Sequence, residues 1–207
     1  MKVELLSITP YAEKLIENIG RTSYLSFEKQ KKGTYVDFIN MLIKNDDLSV
    51  LEHAYATFRI IGNSRAFTHQ LVRHRLCSYT QQSQRYVDEH NFKYVEPESI
   101  KNDKSAHNLF INFMNKAKEI YSELQKLGIA NEDARFVLPN AVESEIAITA
   151  NFRQWRHIME IRGHPDAQWE IRTTVIEILK ILKKHAPTVF ADFQIDDEKK
   201  IVTKTEI

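Results

Sequence analysis

Cysteine, glycine and proline are scarce in this chain of 207 residues. It contains one cysteine, Cys77, five glycines and five prolines. A single cysteine cannot form an intramolecular disulfide and suits a reducing compartment, so we expect a cytoplasmic location. The scarcity of glycine and proline predicts mostly regular helices and strands with short connections.

Long apolar runs and a large net charge are also missing. No run approaches the roughly 18 apolar residues that a membrane-spanning helix needs, and residues 1–6 lack the apolar core of a signal peptide. The formal net charge is +1, which gives no global field to attract a nucleic acid or a membrane. We expect neither as a partner, so any positive patch must be local.

The apolar periodicity predicts an α+β fold with a mixed or antiparallel sheet flanked by long helices. Strands are predicted at 3–8, 54–61, 92–95 and 145–150. Helices are predicted at 10–20, 35–44, 64–75, 104–127, 132–138, 152–162 and 166–184. Residues 1–207 are predicted to form one domain, whose charged tail, 194–207, either frays or adds an edge strand.

Capping residues place the ends of several helices. Gly62-Asn63 is predicted to break the second strand before the next helix begins. The predicted N-caps are Thr9, either Asn63 or Ser64, Asn131 and Asn151, and Gly128 is the predicted C-cap of the long helix.

Residues 73–86, RHRLCSYTQQSQRY, form the most unusual stretch. Three adjacent residues carry or can carry positive charge, a polar run follows, and no acidic residue lies among them. A core segment would be apolar, and a solvated face would mix lysine with glutamate. An anion from outside the stretch is therefore the natural counter-charge.

The predicted geometry of this stretch suits ligand binding. If the preceding helix continues to about Arg75, then Gln70, Arg73 and His74 share one face. If the following segment is extended, side chains alternate, and Tyr79, Gln81, Ser83 and Arg85 face the same way. Guanidinium groups and hydroxyls would hold a phosphate, and glutamine amides would read the edge of a pyrimidine or a flavin.

The spacing Arg73-His74-Arg75, then seven residues, then Ser83 resembles the signature of flavin-dependent thymidylate synthases. Gln84-Arg85-Tyr86 extends the likeness. Further blocks resemble the family in the same order along most of the chain: 21–23 (RTS), 49–58 (SVLEHAYATF), 134–139 (ARFVLP), 151–162 (NFRQWRHIMEIR) and 167–171 (AQWEI).

The resemblance implies the family fold, a homotetramer with shared active sites, and a reaction. The family methylates dUMP to dTMP with 5,10-methylenetetrahydrofolate as carbon donor, FAD as redox carrier and NADPH as reductant, and it releases tetrahydrofolate. No metal is implied.

Site residues follow from the same resemblance. Arg162 would lie by the uracil ring as the catalytic residue and favour its N3-ionised form. The residues implied for dUMP are Gln70, Arg73, Gln81, Gln82, Ser83, Gln84, Arg85, Arg135 and Arg162. The residues implied for FAD are Ser23, Ser49, Arg73, His74, Arg75, Asn151, Arg153 and His157.

Two departures from the family pattern change what can be carried over. Asp47 stands where many members have histidine, so no role is assigned to it. Thr80-Gln81 stands where many members have Asn-Glu. Gln81 keeps an acceptor and gains a donor, so nucleotide binding is expected to survive, whereas a role that requires a carboxylate does not carry over.

On an ideal helix Arg153, His157 and Glu160 share a face, and Arg162 lies on nearly the opposite side. Unless the helix stops before Arg162, these residues cannot all reach one ligand within one subunit. This geometry favours sites that are built from more than one subunit.

Two other functions fit parts of the sequence. One is an RNA- or nucleotide-binding module in which Arg73, Arg75 and Arg85 hold phosphates and Tyr79 and Tyr86 stack on bases; it requires a wider basic patch than a net charge of +1 offers. The other is a structural interaction protein that uses its long helices and leaves residues 73–86 unexplained.

Several residues have a plainer interpretation beside a functional one. Ser83 is interpreted as a binding hydroxyl rather than a nucleophile, and Cys77 as a small buried thiol. Arg21 either contributes to the site or only pairs with an acidic neighbour. Trp155 and Trp169 are expected in the core or at an interface, and His53, His69 and His74 lack the spacing of metal ligands.

Overall fold

The computed structural model describes residues 1–205 and has the predicted α+β architecture. Four strands form one sheet in the order β1-β2-β4-β3, and an antiparallel pair, β5 and β6, forms another. The strands are β1 (Lys2–Ile8), β2 (Tyr55–Ser64), β3 (Cys77–Gln81), β4 (Glu143–Asn151), β5 (Phe193–Asp196) and β6 (Ile201–Lys204).

Eight α-helices occur in the described part of the chain: α1 (Ala12–Arg21), α2 (Thr34–Lys44), α3 (Arg65–Leu71), α4 (Glu98–Lys101), α5 (Lys104–Lys126), α6 (Asn131–Ala134), α7 (Phe152–Arg162) and α8 (Trp169–His185). Short 3-10 helices lie at Thr22–Tyr24, Phe27–Lys29, Leu48–His53 and Arg135–Val137. Within residues 1–205, no helix combines the length and the apolar character that crossing a membrane would require.

The chain divides into two compact units, each made of separate segments. Unit 1 contains Met1–Lys2, Ile60–Gln70 and Thr80–Ile146. Unit 2 contains Val3–Arg59, Leu71–Tyr79 and the chain from Ala147 onward. The single domain expected for residues 1–207 stays a prediction.

Each unit has its own buried core. In unit 1, Phe92 and Val142 pack against Met114 and Ala117 of α5. In unit 2, Trp155 is fully buried, meets Phe58 edge-to-face with ring centroids 5.2 Å apart, and donates its indole N–H to Ala56 O at 3.1 Å. The core position expected for Trp155 is confirmed, whereas Trp169 is 39% exposed.

The strongest capping signals are confirmed. Asn151 caps α7, because its Oδ1 accepts from Gln154 N at 2.7 Å. Ser64 Oγ accepts from Phe67 N at 3.1 Å at the start of α3. Gly128 has φ +84° just beyond α5, where its N–H donates to Gln125 O at 2.9 Å, as a glycine C-cap does.

Two of the predicted N-caps are wrong. Thr9 does not cap α1, because its Oγ1 accepts from Tyr55 N at 2.9 Å and so bonds β2 instead of the helix. Tyr11, with φ 49°, occupies the N-cap position. Asn131 is the first residue of α6, and Ala130 precedes it as N-cap without a side-chain bond.

Two predicted strand features also differ, and one of the two alternatives predicted for the tail, a strand, is found. β2 continues through Gly62 to Ser64, because glycine takes φ +77° there without a steric penalty. The strand expected at 92–95 is reduced to one antiparallel bridge between Tyr94 and Val142. The tail forms β5 and β6 rather than fraying as far as residue 205, and residues 206–207 of the predicted tail lie outside the described part.

Candidate active site

The arginine-histidine-arginine motif lies in the loop between α3 and β3, not on the helix as predicted. α3 ends at Leu71, and residues 72–76 turn toward β3. The hydroxyl of Tyr79 lies 2.7 Å from Leu71 O and 3.0 Å from His74 O, so its single hydrogen can donate to either carbonyl where a longer helix would have used them. The prediction that Gln70, Arg73 and His74 share a helical face is therefore wrong.

Within unit 2, this loop brings His74 to the C-terminal end of α7. The Nε atom of Arg162 donates to Nε2 of His74 at 2.9 Å, and the rings of His74 and His157 meet edge-to-face with centroids 5.8 Å apart. His74 is only 6% exposed. Its pKa is lowered from 6.5 to about 4, first by burial and then by the positive charges of Arg162, His157 and Arg73. The imidazole is therefore neutral at physiological pH.

Positive charge accumulates around His74 without an equal amount of negative charge. The pKa of Arg162 is lowered first by burial and then by the charge of Arg73. Within the described part of the chain, no acidic side chain pairs with Arg73 or Arg75, and both are exposed. A nearby anion would relieve the repulsion, so this loop is suited to a phosphate or an ionised base.

The sequence predicted that His157 and Glu160 lie on one face of α7 and Arg162 on nearly the opposite face, and this separation is only partly found. α7 does reach Arg162, so it does not stop short of that residue. His157 and Arg162 project about 140° apart on an ideal helix, yet both contact His74 in one chain, because the imidazole occupies the space between them. Glu160 faces Lys204 instead, with their charged atoms 3.6 Å apart. The geometric argument for sites shared between subunits therefore does not apply to His157.

A cleft of about 710 Å³ in unit 2 collects four of the residues implied for FAD, namely Arg75, Asn151, Arg153 and His157. Asn151 caps α7, so the positive end of the helix dipole lies at this cleft. Arg153 pairs with Glu52 at 2.6 Å. The cleft has the size of a ligand pocket and carries cationic groups.

Cys77 also lines this cleft and is half-buried, so the fully buried thiol that we expected is not found. Burial raises the pKa of its thiol, which keeps the sulfur protonated and unreactive at neutral pH.

Ser23 and Ser49 are also implied for FAD. They line a different cavity of about 580 Å³ in unit 2, together with Asp47. The two cavities share no lining residue. Arg21, at the edge of this second cavity, pairs with Glu17 at 2.7 Å and lies 4.6 Å above the ring of Phe38. Arg21 thus has the acidic partner that one interpretation expected, and it also lines this cavity with Ser23 and Ser49.

In unit 1 the two adjacent glutamines of the motif are held by different groups. Gln81 Nε2 donates to Thr68 Oγ1 at 3.0 Å and to Ser144 Oγ at 3.2 Å. Gln82 uses both ends of its amide: Nε2 donates to Glu89 Oε1 at 2.9 Å, and Oε1 accepts from Glu145 N at 3.2 Å. Gln82 therefore ties the chain after β3 to β4.

Glu89 is a site-supporting residue that the sequence did not indicate. It is 5% exposed, and burial raises its pKa. Its N–H donates to the hydroxyl of Tyr121 at 3.2 Å. A buried glutamate in an apparently polar loop leaves no periodic signal, because its burial depends on α5 covering the loop.

The strict alternation expected from Tyr79 to Arg85 ends at Gln81, where β3 stops. Residues 84–86 form a turn, with Ser83 Oγ accepting from Arg85 N at 3.3 Å. Gln84 lies half-buried in this turn, and Gln70 is at the end of α3. No histidine or carboxylate contacts Ser83 Oγ within residues 1–205, so nothing there activates it as a nucleophile.

Two arginines of unit 1, one of them in this turn, contact Glu132. Arg85 Nε lies 2.5 Å from Glu132 Oε2, and Arg135 Nε donates to Glu132 O at 2.9 Å. Arg65 was missed by the sequence analysis. The pKa of Arg65 is lowered mainly by burial, and the charge of Arg135 lowers it further. The only feature of the sequence that pointed to Arg65 was its position five residues before Gln70.

Metal chemistry finds no support in the arrangement of side chains. Within residues 1–205, no three histidine, cysteine, aspartate or glutamate side chains are grouped so as to hold a metal ion.

The clustered guanidinium groups, the neutral histidine and the cationic cleft are suited to anionic ligands. A family model described as "thymidylate synthase complementing protein" matches residues 4–188. The chain therefore belongs to this family, which confirms the resemblance of its motifs to flavin-dependent thymidylate synthases.

Individual relatives agree with the family match. Proteins named flavin-dependent thymidylate synthase from Geobacter sulfurreducens, Corynebacterium efficiens and Mycobacterium tuberculosis are 41%, 40% and 39% identical to this chain over 200, 202 and 198 residues. The alignments cover 93%, 89% and 87% of this chain and 86%, 81% and 79% of those proteins. The likeness thus extends well beyond the motif.

Proposed function

We propose that this chain is a flavin-dependent thymidylate synthase that converts dUMP to dTMP. The carbon donor is 5,10-methylenetetrahydrofolate, the reductant is NADPH acting through FAD, and tetrahydrofolate is released. The observation that carries the proposal is the placement of Arg73, His74 and Arg162, which concentrates positive charge beside a neutral imidazole. The names of the relatives support the flavin and the thymidylate chemistry.

The residues that line the 710 Å³ cleft support the assignment of FAD to it. Its lining combines Arg75 and Arg153, which suit the diphosphate, with His157 and the N-terminus of α7, where backbone N–H groups favour an anion. We assign FAD to these residues, to Asn151, and to Arg73 and His74 of the adjoining loop. When bound, FAD supplies the hydride that completes the methyl group.

Ser23 and Ser49 belong to the proposed FAD set by family resemblance alone, since they line the other cavity. A second subunit that presents this cavity to the cofactor would account for their place in the set.

Arg162 is the proposed catalytic residue. A guanidinium cation stabilises the anion that forms when the uracil ring loses its N3 proton, and burial strengthens this electrostatic effect. His74 holds the Nε side of the guanidinium, which fixes its plane. The ionised ring carries more negative charge for attack on the one-carbon unit.

The other residues proposed to contact dUMP rest on the family resemblance. They are Gln70, Arg73, Gln81, Gln82, Ser83, Gln84, Arg85 and Arg135, in addition to Arg162. Arg85 and Arg135 suit the phosphate, because guanidinium groups form paired bonds to phosphate oxygens. The amide bonds of Gln82 to Glu89 and Glu145 support a role in holding the chain in addition to any contact with the nucleotide.

We propose that the enzyme works as a homotetramer with shared active sites. Large apolar side chains on one exposed face of α5 support association, since Leu109 is 72% exposed and Phe113, one turn later, is 58% exposed. A monomer that is fully active in sedimentation and turnover assays would contradict this. The cytoplasmic location is proposed on the basis of the single cysteine and the need for NADPH.

The nucleic-acid alternative is not favoured. The family match and the relatives favour the flavin enzyme, and a net charge of +1 offers little sequence-independent attraction for RNA.

The proposed function is tested first by spectroscopy. Purified protein loaded with FAD should show flavin absorbance that bleaches when NADPH is added without oxygen. Adding dUMP and 5,10-methylenetetrahydrofolate should then give dTMP and tetrahydrofolate in equal amounts, and omission of dUMP is the control. A colourless protein that takes up no FAD, or flavin turnover without dTMP, would contradict the proposal.

A further inference from the structure

Gln81 ends β3 and lies over two buried hydroxyl groups in unit 1. Its Nε2 atom is 3.0 Å from Thr68 Oγ1 and 3.2 Å from Ser144 Oγ. Thr68 is fully buried and Ser144 is 4% exposed, whereas Gln81 itself is half-buried. The amide therefore rests on a fixed polar base and keeps one side accessible.

Thr68 fixes which end of the amide faces inward. Its hydroxyl donates to Arg65 O at 3.0 Å, one turn back along α3. A hydroxyl has only one hydrogen, so toward Gln81 the Thr68 oxygen can only accept. If the amide were reversed, its oxygen would face that oxygen, and a buried hydrogen bond would be lost. The orientation with Nε2 toward Thr68 is thus set by the hydrogen-bond network.

An amide NH2 group has two hydrogens, and here Thr68 and Ser144 each accept one. No hydrogen is left for a ligand. The carbonyl oxygen Oε1 has no partner among residues 1–205. Although glutamine generally offers both a donor and an acceptor, Gln81 in this setting can only accept.

We propose that Gln81 binds the nucleotide through Oε1 alone, and that Thr68 and Ser144 are positioning residues that fix this polarity. The inference rests on the proposed binding of dUMP. Gln81 then recognises a hydrogen-bond donor of the nucleotide and acts as an uncharged equivalent of the glutamate that many family members have at this position. The donor on dUMP that remains available is the 3′-hydroxyl, because the ring N3 is proposed to lose its proton beside Arg162.

An analogue of dUMP that lacks this donor tests the inference in the FAD-loaded enzyme. The probe is 2′,3′-dideoxyuridine 5′-monophosphate, which lacks the 3′-hydroxyl. We expect wild-type protein to bind the analogue about five- to tenfold more weakly than dUMP, as the loss of one hydrogen bond predicts.

The variants then test the positioning role. Thr68→Val removes the acceptor for Gln81, so the amide can turn. The ratio of the dissociation constant of the analogue to that of dUMP should then fall to less than about half of its wild-type value. Thr68→Ser, which keeps the hydroxyl, is the matched control and should retain the discrimination. Gln81→Glu should also retain it, and Gln81→Met should abolish it. Thr68→Ala removes the same acceptor and gives the same test should Thr68→Val fail to fold.

A purely structural role for Thr68 would weaken dUMP and the analogue equally and leave their ratio unchanged. That outcome, or wild-type protein that binds the analogue as tightly as dUMP, overturns the inference while dTMP formation still supports the proposed function. Wild-type protein that binds FAD but no dUMP overturns both.

Discussion

Arg162 donates a hydrogen bond from Nε to Nε2 of His74 across 2.9 Å. Because Nε2 accepts, the imidazole must be neutral with its proton on Nδ1. The orientation of the proposed catalytic guanidinium therefore depends on a histidine that stays unprotonated, because burial and then the surrounding positive charges lower its pKa.

The first prediction concerns pH. The pKa of His74 is lowered from 6.5 to about 4 in the folded protein. Between these values the unfolded chain binds a proton that the folded protein does not, so this group's contribution to stability is complete above pH 6.5 and is lost as the pH falls toward 4. NMR titration should place His74 near 4. His74→Gln, which keeps an acceptor, should lose less stability over the same range. A titration at or above the ordinary value would contradict the neutral imidazole.

A second prediction separates two arginines of unit 2. Arg162→Ala should lower the rate of dTMP formation by about a hundredfold or more while FAD is retained, because it removes charge stabilisation in the transition state. Arg75→Ala should instead release FAD, because Arg75 lines the cationic cleft. Flavin absorbance after gel filtration and single-turnover dTMP formation measure the two effects. The reverse pattern would exchange the two assignments.

A third prediction concerns the ion pair between Arg85 and Glu132, whose charged atoms are 2.5 Å apart with both side chains about half exposed. Glu132 competes with a phosphate for the same guanidinium. Glu132→Gln should therefore tighten dUMP binding by about two- to fivefold, the range expected for an exposed ion pair. Calorimetric titration measures this change. Glu119→Gln, which removes the exposed ion pair with Lys116 on α5, is the control and should leave binding unchanged. Weaker binding in Glu132→Gln would show that the carboxylate orients Arg85 instead.

The fourth prediction concerns stability. Arg156 and Asp192 are 3% and 2% exposed and form two hydrogen bonds of 2.7 and 2.6 Å. Arg156 also donates to Val189 O and lies 4.9 Å above the ring of Phe193. Asp192→Ala should lower the free energy of unfolding by about 3–5 kcal/mol, because it leaves a buried guanidinium without its counter-charge.

Urea denaturation followed by tryptophan fluorescence measures this loss. Glu177→Ala breaks an exposed pair with Lys180 and should cost no more than about 1 kcal/mol. Equal losses in the two variants would show that burial does not strengthen the Arg156–Asp192 pair.

Local sequence signals predicted elements whose ends are set by local bonds. The start of α7 is where the Asn151 cap places it, and α5 ends two residues before Gly128. Prediction failed where a distant partner competed for a local group. Thr9 bonds Tyr55 instead of capping α1, and the Tyr79 hydroxyl lies within hydrogen-bond distance of the carbonyls of Leu71 and His74 where the helix was expected to continue.

The candidate site also divides into residues that the sequence identified and residues that only the structure revealed. The motif residues were identified from their order along the chain, and the family match supports that identification. The groups that orient them, Thr68 and Ser144 under Gln81 and Glu89 beside Gln82, carried no sequence signal. Their roles arise from hydrogen bonds between residues far apart in sequence, and from burial that only packing provides.

The sequence by itself determined the class of fold, the positions of the long helices and the family, because these follow from periodicity, caps and the order of motifs. Only the tertiary structure decided that Arg73 and His74 lie beyond α3, that His74 is a neutral acceptor for Arg162, and that Gln81 can only accept. Protonation states and hydrogen-bond directions depend on burial and on partners in space, which the order of residues does not contain.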